Sequence, residues 1–545
     1  MKKTGKIPQT IILAAGNQLP DANFNSQMIP LRGRPALAWV VDGAGSGDIH
    51  IVLDKNNILL LKYLKSWRKD LDLVTVDKTE TFSGSGNFTI LDSLYAGLEA
   101  LKNDTGAVRI LLGDTLCREF ENSQDDFFLV SEDFITSKRW CLVQEDKNGF
   151  AEKFYDKLPD IETAGKKALI GYYGFSDLKL LKKTAGECLR AGAGNISDLL
   201  CEYSKTIPLK CVKAAKWIDL GHKAGLIKAR NSLYNSRCFN YFRTDSPLGT
   251  LTKISANKKK LEDEYFWYRN MPDGLRQFAP QILGFRENAG KSEIKMELCG
   301  YPVLSELFIL GNLNLEEWEL IIRRLFEVHR LMETYEGTEK EDYEELYLGK
   351  TRRRLAELRS QAPCWDEILG YDTLEINGRK YKNLPRFSSD IETEAAKIIK
   401  NARTTFIHGD YCFSNILFDT NSLAVKLIDP KGRIKRRSVY GDPRYDIAKL
   451  RHSAEGKYDF AVHGLFGLEE NGNVFKTEEF RPELQEDITR IFDSAAVEFG
   501  WDIREIIFIE ALLFASMIPL HSEDIKRQKL FYLKAVKRIN DFFRE

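Results

Sequence analysis

The sequence predicts two folds in series, an α/β half built on a mixed, mostly parallel sheet and then an α+β half. Three observations predict this. From Lys6 to about Asn231, short apolar runs alternate with stretches of helical spacing, the pattern of strands joined by helices. From about Ser246, a small strand-rich part gives way to long amphipathic helices. The chain of 545 residues fits two to four domains at roughly 150 residues each. The polar, irregular stretch from Asn231 to Asp245 holds the join, giving expected domains at 1–232 and 238–545.

Residues 10–15, 49–53, 73–76 and 108–112 read as buried strands, and 58–67 and 90–101 as helices. In the second half, strand 249–255 leads into a charged helix over 258–269, followed by strands 281–285 and 293–298. Helices are expected over 315–336, 342–361 and 525–543, with a short polar β patch at 374–381. The last hundred residues are expected to be mainly helical, and no repeat or low-complexity tract interrupts them.

Composition narrows the function classes. Lys+Arg and Asp+Glu each total 80, so the formal net charge is zero. A sequence-blind nucleic-acid binder needs net positive charge to collect phosphates, so nucleic acid is not an expected partner. Apolar residues at 43% are too many for a disordered chain. The run from Ile11 to Ala15 is too short for a signal core, and no stretch approaches the ~18 apolar residues of a membrane helix. Nine scattered cysteines without CxxC spacing argue against a zinc site or disulfide framework. A cytoplasmic protein without membrane insertion is the expectation.

Chemistry enters first at Ile11-Ile12-Leu13-Ala14-Ala15-Gly16, an apolar strand running into glycine. Backbone N–H groups at such a junction can approach a phosphate. Asp114 closes Leu111-Leu112-Gly113-Asp114, and Asp219 lies in Trp217-Ile218-Asp219-Leu220-Gly221. Two carboxylates at strand ends can hold Mg²⁺ against a triphosphate while an incoming phosphate attacks the α-phosphorus and expels pyrophosphate. This order resembles the nucleotidyltransferases that make nucleoside-diphosphate sugars, whose fold is glycosyltransferase-A-like with a Rossmann-like sheet.

The resemblance implies roles. Leu13, Ala14, Ala15 and Gly16 would bind the nucleotide, and Asp114 and Asp219 would hold the metal. Gly33-Arg34-Pro35-Ala36-Leu37 resembles the family's PKPL segment, so Arg34 would supply the catalytic cation in place of lysine. Glu152-Lys153 and Gly171-Tyr172-Tyr173-Gly174-Phe175 resemble segments that contact the sugar phosphate. The chain departs from the family's LAAGxGxR in reading Leu13-Ala14-Ala15-Gly16-Asn17-Gln18-Leu19-Pro20. Gly86, in Ser83-Gly84-Ser85-Gly86-Asn87, is either a base or ribose contact or part of an ordinary loop. His222 is a candidate substrate contact, set against the commoner role of a packed histidine.

The second site is His408-Gly409-Asp410-Tyr411-Cys412-Phe413-Ser414-Asn415, followed by Leu427-Ile428-Asp429-Pro430. Phosphoryl transfer needs a carboxylate to orient the attacking hydroxyl, and an Asn and an Asp to hold Mg²⁺ on the phosphates. Asp410, Asn415 and Asp429 supply that set. HGDxxxxN followed by IDPKG resembles the aminoglycoside phosphotransferase and choline kinase superfamily, a branch of the protein-kinase-like fold. On that resemblance Asp410 is the base, Asn415 and Asp429 are metal ligands, and Lys253 binds phosphates. Glu264, or else Glu262, would pair with Lys253, and Glu297 in Met296-Glu297-Leu298-Cys299 would lie at the adenine hinge. Asp446 is expected to be structural, and the basic run Lys435-Arg436-Arg437 to be a solvated face or an attractor of anions.

Together the resemblances imply a bifunctional enzyme. ATP would phosphorylate a sugar or polyol hydroxyl, and an NTP, CTP or another pyrimidine nucleotide, would then give a nucleotide-activated product for surface polysaccharide (capsule) synthesis. The dependence of the second step on the first would give the fusion its rationale. Mg²⁺ is the expected metal, and a homo-oligomer is one expected state. The alternatives are a choline- or ethanolamine-type kinase joined to a cytidylyltransferase, an active kinase with a non-catalytic first domain, and a scaffold.

Overall fold

The computed structural model describes residues 9–544 apart from 17–22, 32, 46, 83–86, 104, 120–125, 135–136, 159–162, 223–224, 227, 230–239, 246, 289, 339–341 and 481–483. The chain divides into two compact units, Met1–Leu233 and Tyr234–Glu545.

In the first unit, β1 (Gln9–Leu13), β2 (Ile49–Asp54), β3 (Asp72–Val76) and β4 (Val108–Leu112) run parallel in the order β4-β1-β2-β3. Consecutive residues Ile11 and Ile12 point to opposite faces and are both fully buried, so the sheet is covered on both sides. Helix Ile90–Glu99 lies against it. A Cβ at Gly97 would come within 2.8 Å of Ile11 and 2.9 Å of Val52, so glycine is needed for that close approach.

Beyond β4 come β5 (Thr115–Glu119), β6 (Phe127–Ser131), β7 (Cys141–Glu145), β8 (Ala151–Asp156), β9 (Lys167–Phe175), β10 (Lys210–Lys213) and β11 (Lys216–Asp219). β9 pairs antiparallel with β4, β6 and β7, and β8 with β7. The mixed α/β class is as expected, but the sheet is not mostly parallel. Between Leu112 and Lys167 the described residues form no α-helix, so there is no crossover to return the chain parallel. β5 and β11 make a separate antiparallel ladder.

The second unit opens with an antiparallel sheet of β12 (Asn240–Asp245), β13 (Thr250–Ser255), β14 (Ile282–Asn288) and β15 (Lys291–Glu297), in the order β12-β13-β15-β14. Leu261 of helix Lys258–Arg269 buries against Ile294 and Met296 of β15. The rest is mainly helical, including Leu315–Glu333, Lys350–Gln361, Pro443–Ala454, Ile503–Met517 and Ile525–Arg544. This is the α+β class that the sequence predicts.

Among the strands that lie between these helices are β16 (Thr373–Ile376), β17 (Arg379–Lys382), β18 (Phe466–Asn471) and β19 (Val474–Glu479). They join as one sheet, β17-β16-β19-β18. The second hairpin is absent from the sequence reading because Phe466–Asn471 and Val474–Glu479 are rich in charged residues and show little apolar alternation. Among the described residues no helix is long and apolar enough to cross a membrane, and the eight described cysteines are unbridged.

Candidate active sites

In the second unit, Lys253 of β13 is 2% exposed. Its Nζ lies 2.6 Å from Glu264 Oε2 and 2.6 Å from Asp429 Oδ1. Burial opposes the ammonium, but the two carboxylates outweigh it and hold Lys253 charged, well above its ordinary value. Burial pushes the Glu264 carboxyl up to about 7 against the pull of Lys253, and its Oε1 has no hydrogen-bond partner. Asp429 follows strand Ala424–Leu427 in the left-handed region, at φ 55°, a sparsely populated conformation for a non-glycine residue.

The loop bearing Asp410 is fixed from below. Buried Asp446 accepts the backbone N–H groups of His408 at 2.7 Å and Gly409 at 2.8 Å. Asp446 is therefore structural. Trp267 Nε1 donates to Ile407 O at 2.7 Å, so this tryptophan is core. The Asp410 N–H donates to His408 Nδ1 at 3.3 Å, while His408 Nε2 lies 3.1 Å from Ile428 O. Burial keeps that imidazole neutral, with one nitrogen accepting and the other donating.

Asn415 Nδ2 donates to Asp410 Oδ2 at 3.0 Å, and Lys449 Nζ lies 2.9 Å from Asp410 Oδ1. Burial would raise Asp410, but Lys449 outweighs it and holds the carboxyl well below the usual carboxylate range. Lys449 was not singled out by the sequence reading. Its signal was helical spacing, one turn after Asp446 in Pro443–Ala454. Glu297 ends β15, and its carboxylate accepts the Gln281 N–H at 3.0 Å and lies 3.5 Å from Lys426. The basic run after Asp429 is not a free attractor. Arg433 and Arg437 both bind Asp263, and Lys435 binds Asp342.

In the first unit, a cavity of about 320 Å³ opens at the ends of β1 and β4. Leu13, Ala15, Gly16 and Asp114 line it, as do Gln27 and Lys78, which the sequence reading passed over. Gln27 donates to Gly16 O, and the Gly113 N–H to Leu13 O at 2.8 Å. Thr89 and Asp92 form a capping box that fixes the helix N-terminus at the cavity, where Thr89 and Ser93 also line the wall.

The β5–β11 ladder sets Thr115 opposite Asp219, bringing Asp219 beside Asp114. Burial and then the Asp219 charge push Asp114 up to about 7. Asp219 accepts the Gly221 N–H at 2.7 Å, and His222 Nδ1 lies 2.7 Å from its other oxygen. Gly171, at φ 83°, sits where the β6–β9 register shifts, and a Cβ there would meet Leu112 and Thr115 at 2.8 Å. Its glycine is thus required by the backbone.

Three residues singled out in the sequence do not line the cavity. The Arg34 guanidinium pairs with Asp42 at 2.8 Å and stacks on Trp39 and Trp67, at 5.0 and 5.2 Å. It is not part of the cavity wall, because two aromatic faces and a carboxylate hold it elsewhere. Glu152 and Lys153 are exposed on edge strand β8, three strands from β4, and do not line the cavity either. Gly86 lies outside the described residues.

Residues 240–465, within the second unit, match the model of the phosphotransferase enzyme family APH. No curated protein matches the chain. Among solved structures, the chain is similar to 4-diphosphocytidyl-2C-methyl-D-erythritol synthase of Anaerococcus prevotii, at 18% identity and TM-score 0.30, over 42% of this chain and 96% of that one. It is also similar to aminoglycoside phosphotransferase APH(3'')-Id of Streptomyces rimosus, at 12% identity and TM-score 0.32, over 55% and 90%. Aminoglycoside phosphotransferase APH(4)-Ia matches at 10% identity and TM-score 0.35, over 55% and 88%.

Proposed function

We propose that the second unit transfers the γ-phosphoryl group of ATP to a hydroxyl of a small sugar or polyol, and that the first unit joins a sugar or polyol phosphate to a nucleotide. The observation that carries this reading is the convergence of Lys253, Glu264 and Asp429 beside a loop on which Asn415 touches Asp410. Lys253 orients the phosphates. Asp410 accepts the proton as the acceptor oxygen bonds to the γ-phosphorus, and the β–γ bridging bond breaks to release ADP. Lys449 keeps Asp410 ionised and, with Asn415, fixes both carboxylate oxygens. Orientation matters more than basicity in so loose a transition state. The carboxylate and the backbone N–H of Glu297 are both engaged by Gln281, so this residue fixes the end of the strand at which the adenine would lie.

Mg²⁺ fits both donor sets, which are all oxygen. Asp114 is a carboxyl pushed up to about 7 with another carboxylate beside it, which is the environment a dication relieves. Asp114 and Asp219 would hold the ion in the first unit, and Asn415 and Asp429 in the second. The bound ion neutralises phosphate charge. The Leu13–Gly16 junction and the helix N-terminus after Thr89 border the cavity in which a triphosphate would lie, and Lys78, 3.1 Å from Asp54, adds a cation to its wall. The product would be a nucleotide-activated sugar or polyol, CTP or another pyrimidine nucleotide being the donor, of the kind that feeds capsule assembly.

A second reading, an active kinase with a nucleotide-binding but non-catalytic first unit, is favoured by the displacement of Arg34 onto Trp39 and Trp67. One experiment separates the two. The full chain is mixed with Mg²⁺, ATP, CTP, GTP, UTP, dTTP and a pool of sugars, polyols and amino alcohols, and products are read by mass spectrometry. A nucleoside-diphosphate adduct lost in both Asp410→Asn and Asp114→Asn supports the two-step enzyme. A phosphorylated acceptor alone, unaffected by Asp114→Asn, supports the second reading, and no phosphorylated product overturns both.

A further inference from the structure

The phosphotransfer loop is surrounded by more cations than the reaction already assigned to it uses. Lys449 is spent on Asp410. Lys350, which opens helix Lys350–Gln361, is 8% exposed. Its Nζ lies 3.1 Å from the Tyr445 hydroxyl and 4.9 Å from the centre of that ring. Lys431, two residues after Asp429, is exposed and approaches the same ring at 5.8 Å. Among the described residues, neither Lys350 nor Lys431 has a carboxylate within ion-pair distance.

A buried amine with no carboxylate beside it is costly, and an apolar side chain of similar volume would avoid that cost. The nearby carboxyls do not supply the missing charge. Asp429 is held by Lys253, Asp442 by Arg444, and burial pushes Asp459 up to about 7. The surplus is felt by Tyr445. Burial raises its hydroxyl, yet Lys350, Lys431 and Lys449 together draw it down to about 7, while burial pushes Lys350 itself down to about 8. The basic residues 433–437, by contrast, are neutralised by Asp263, Glu262 and Asp342.

We propose that the phosphoryl acceptor is an anion, a hydroxylated small molecule whose phosphate or carboxylate docks on Lys350 and Lys431 beside Lys449 and Tyr445. The inference rests on the phosphotransfer reading above and names the class of its substrate. Lys253 is on the β-sheet side of the Asp410 loop and serves the nucleotide. Lys350 belongs to a helix of the helical part, the part that remains for the acceptor. An anionic group there leaves the hydroxyl free to reach Asp410. A cationic acceptor of the amino-alcohol kind would meet three ammonium groups and be repelled.

The test compares matched acceptors on the full chain: glycerol, glycerate and glycerol 3-phosphate; glucose, gluconate and glucose 6-phosphate; and choline as the cationic control. ADP release is followed at saturating ATP. The expected result is at least about tenfold higher kcat/KM for an anionic member than for its neutral parent, the carboxylate and phosphate arms distinguishing the two anions. Lys350→Met should raise KM for the anion about tenfold, leave KM for ATP unchanged, and be rescued in part by Lys350→Arg. If a neutral or cationic acceptor is preferred, the kinase stands and this inference falls. If no acceptor in the panel turns over, calorimetry decides. Glycerate and glycerol 3-phosphate are titrated with the nucleotide site filled by a non-hydrolysable ATP analogue. Binding that weakens in Lys350→Met upholds the anion site, and binding that is absent or indifferent to the substitution overturns it. Failure of the analogue itself to bind would instead count against the phosphotransfer reading.

Discussion

The two units treat an aspartate in opposite ways. Asp410 has the Lys449 ammonium at 2.9 Å and is held well below the usual carboxylate range. Asp114 has a second carboxylate for a neighbour and is pushed up to about 7. The residue type is the same and both are partly exposed, so the difference lies in the sign of the charge beside each. The second unit carries its own cation and is charged for work before any ligand arrives. The first unit is built with a deficit of positive charge that a bound ion would fill.

Breaking the internal cation of the second unit should have the largest consequences. Asp410→Asn is expected to lower phosphoryl transfer by roughly 10²–10⁴-fold with ATP binding nearly unchanged, measured by ADP release and by nucleotide titration. Unchanged turnover would remove Asp410 from the mechanism. Lys449→Met should lower kcat by roughly 10–100-fold and also move the pH profile. In the native chain the depressed pKa keeps Asp410 ionised throughout the mildly acidic range. Without Lys449, burial raises that pKa, so activity should begin to fall at a higher pH, and an acid limb that stays in place would contradict this account.

The first unit should respond with the opposite sign. The Asp114 pKa is raised on folding, so its penalty is absent below about pH 4, grows as pH rises and is complete above about 7. Asp114→Asn should therefore stabilise the first unit by about 1–3 kcal/mol at pH 8 and by nothing near pH 4, read by denaturant unfolding. Mg²⁺ should raise the melting temperature of the native chain and lose that effect in the variant. A variant less stable at pH 8 would show that Asp114 is neutralised from within the protein.

Smaller effects sharpen the contrast further. Thr89→Ala removes half of the capping box and should cost about 1 kcal/mol in the first unit while sparing phosphoryl transfer. Arg34→Ala should change nucleotidyl transfer by no more than about threefold, because its guanidinium is engaged by Asp42 and two tryptophans. A loss of a hundredfold would return Arg34 to the catalytic role that the sequence resemblance gives it.

Much of this was legible in the sequence because it is local. Apolar runs gave β1 to β4, and helical spacing gave Ile58–Trp67 and Lys258–Arg269. Asp410, Asn415 and Asp429 stood out because phosphoryl transfer demands those residue types at short spacing. The pairing of Lys253 with Glu264 was expected from the sequence, but Asp429 joined it only in the fold, where Lys253 Nζ lies 2.6 Å from each carboxylate. Lys350 gave no signal at all. It sits in an arginine-rich helix start that reads as a solvated face, and only packing against Tyr445 makes it a buried charge.

Arg34 shows the converse. Its place in a motif-like segment suggested chemistry, while Trp39 and Trp67, the latter remote in sequence, hold its guanidinium in the fold. Sequence alone determined the two-part organisation, the α/β and α+β classes and the loop of Asp410, since these follow from periodicity and short-range spacing. Tertiary structure alone decided the antiparallel half of the first sheet, the added sheet of β16 to β19, the fate of Arg34, and which charge stands beside Asp114 and Asp410. These depend on which distant residues share a low-dielectric neighbourhood, and a charge acts on whatever lies near it in space, whatever its number in the chain.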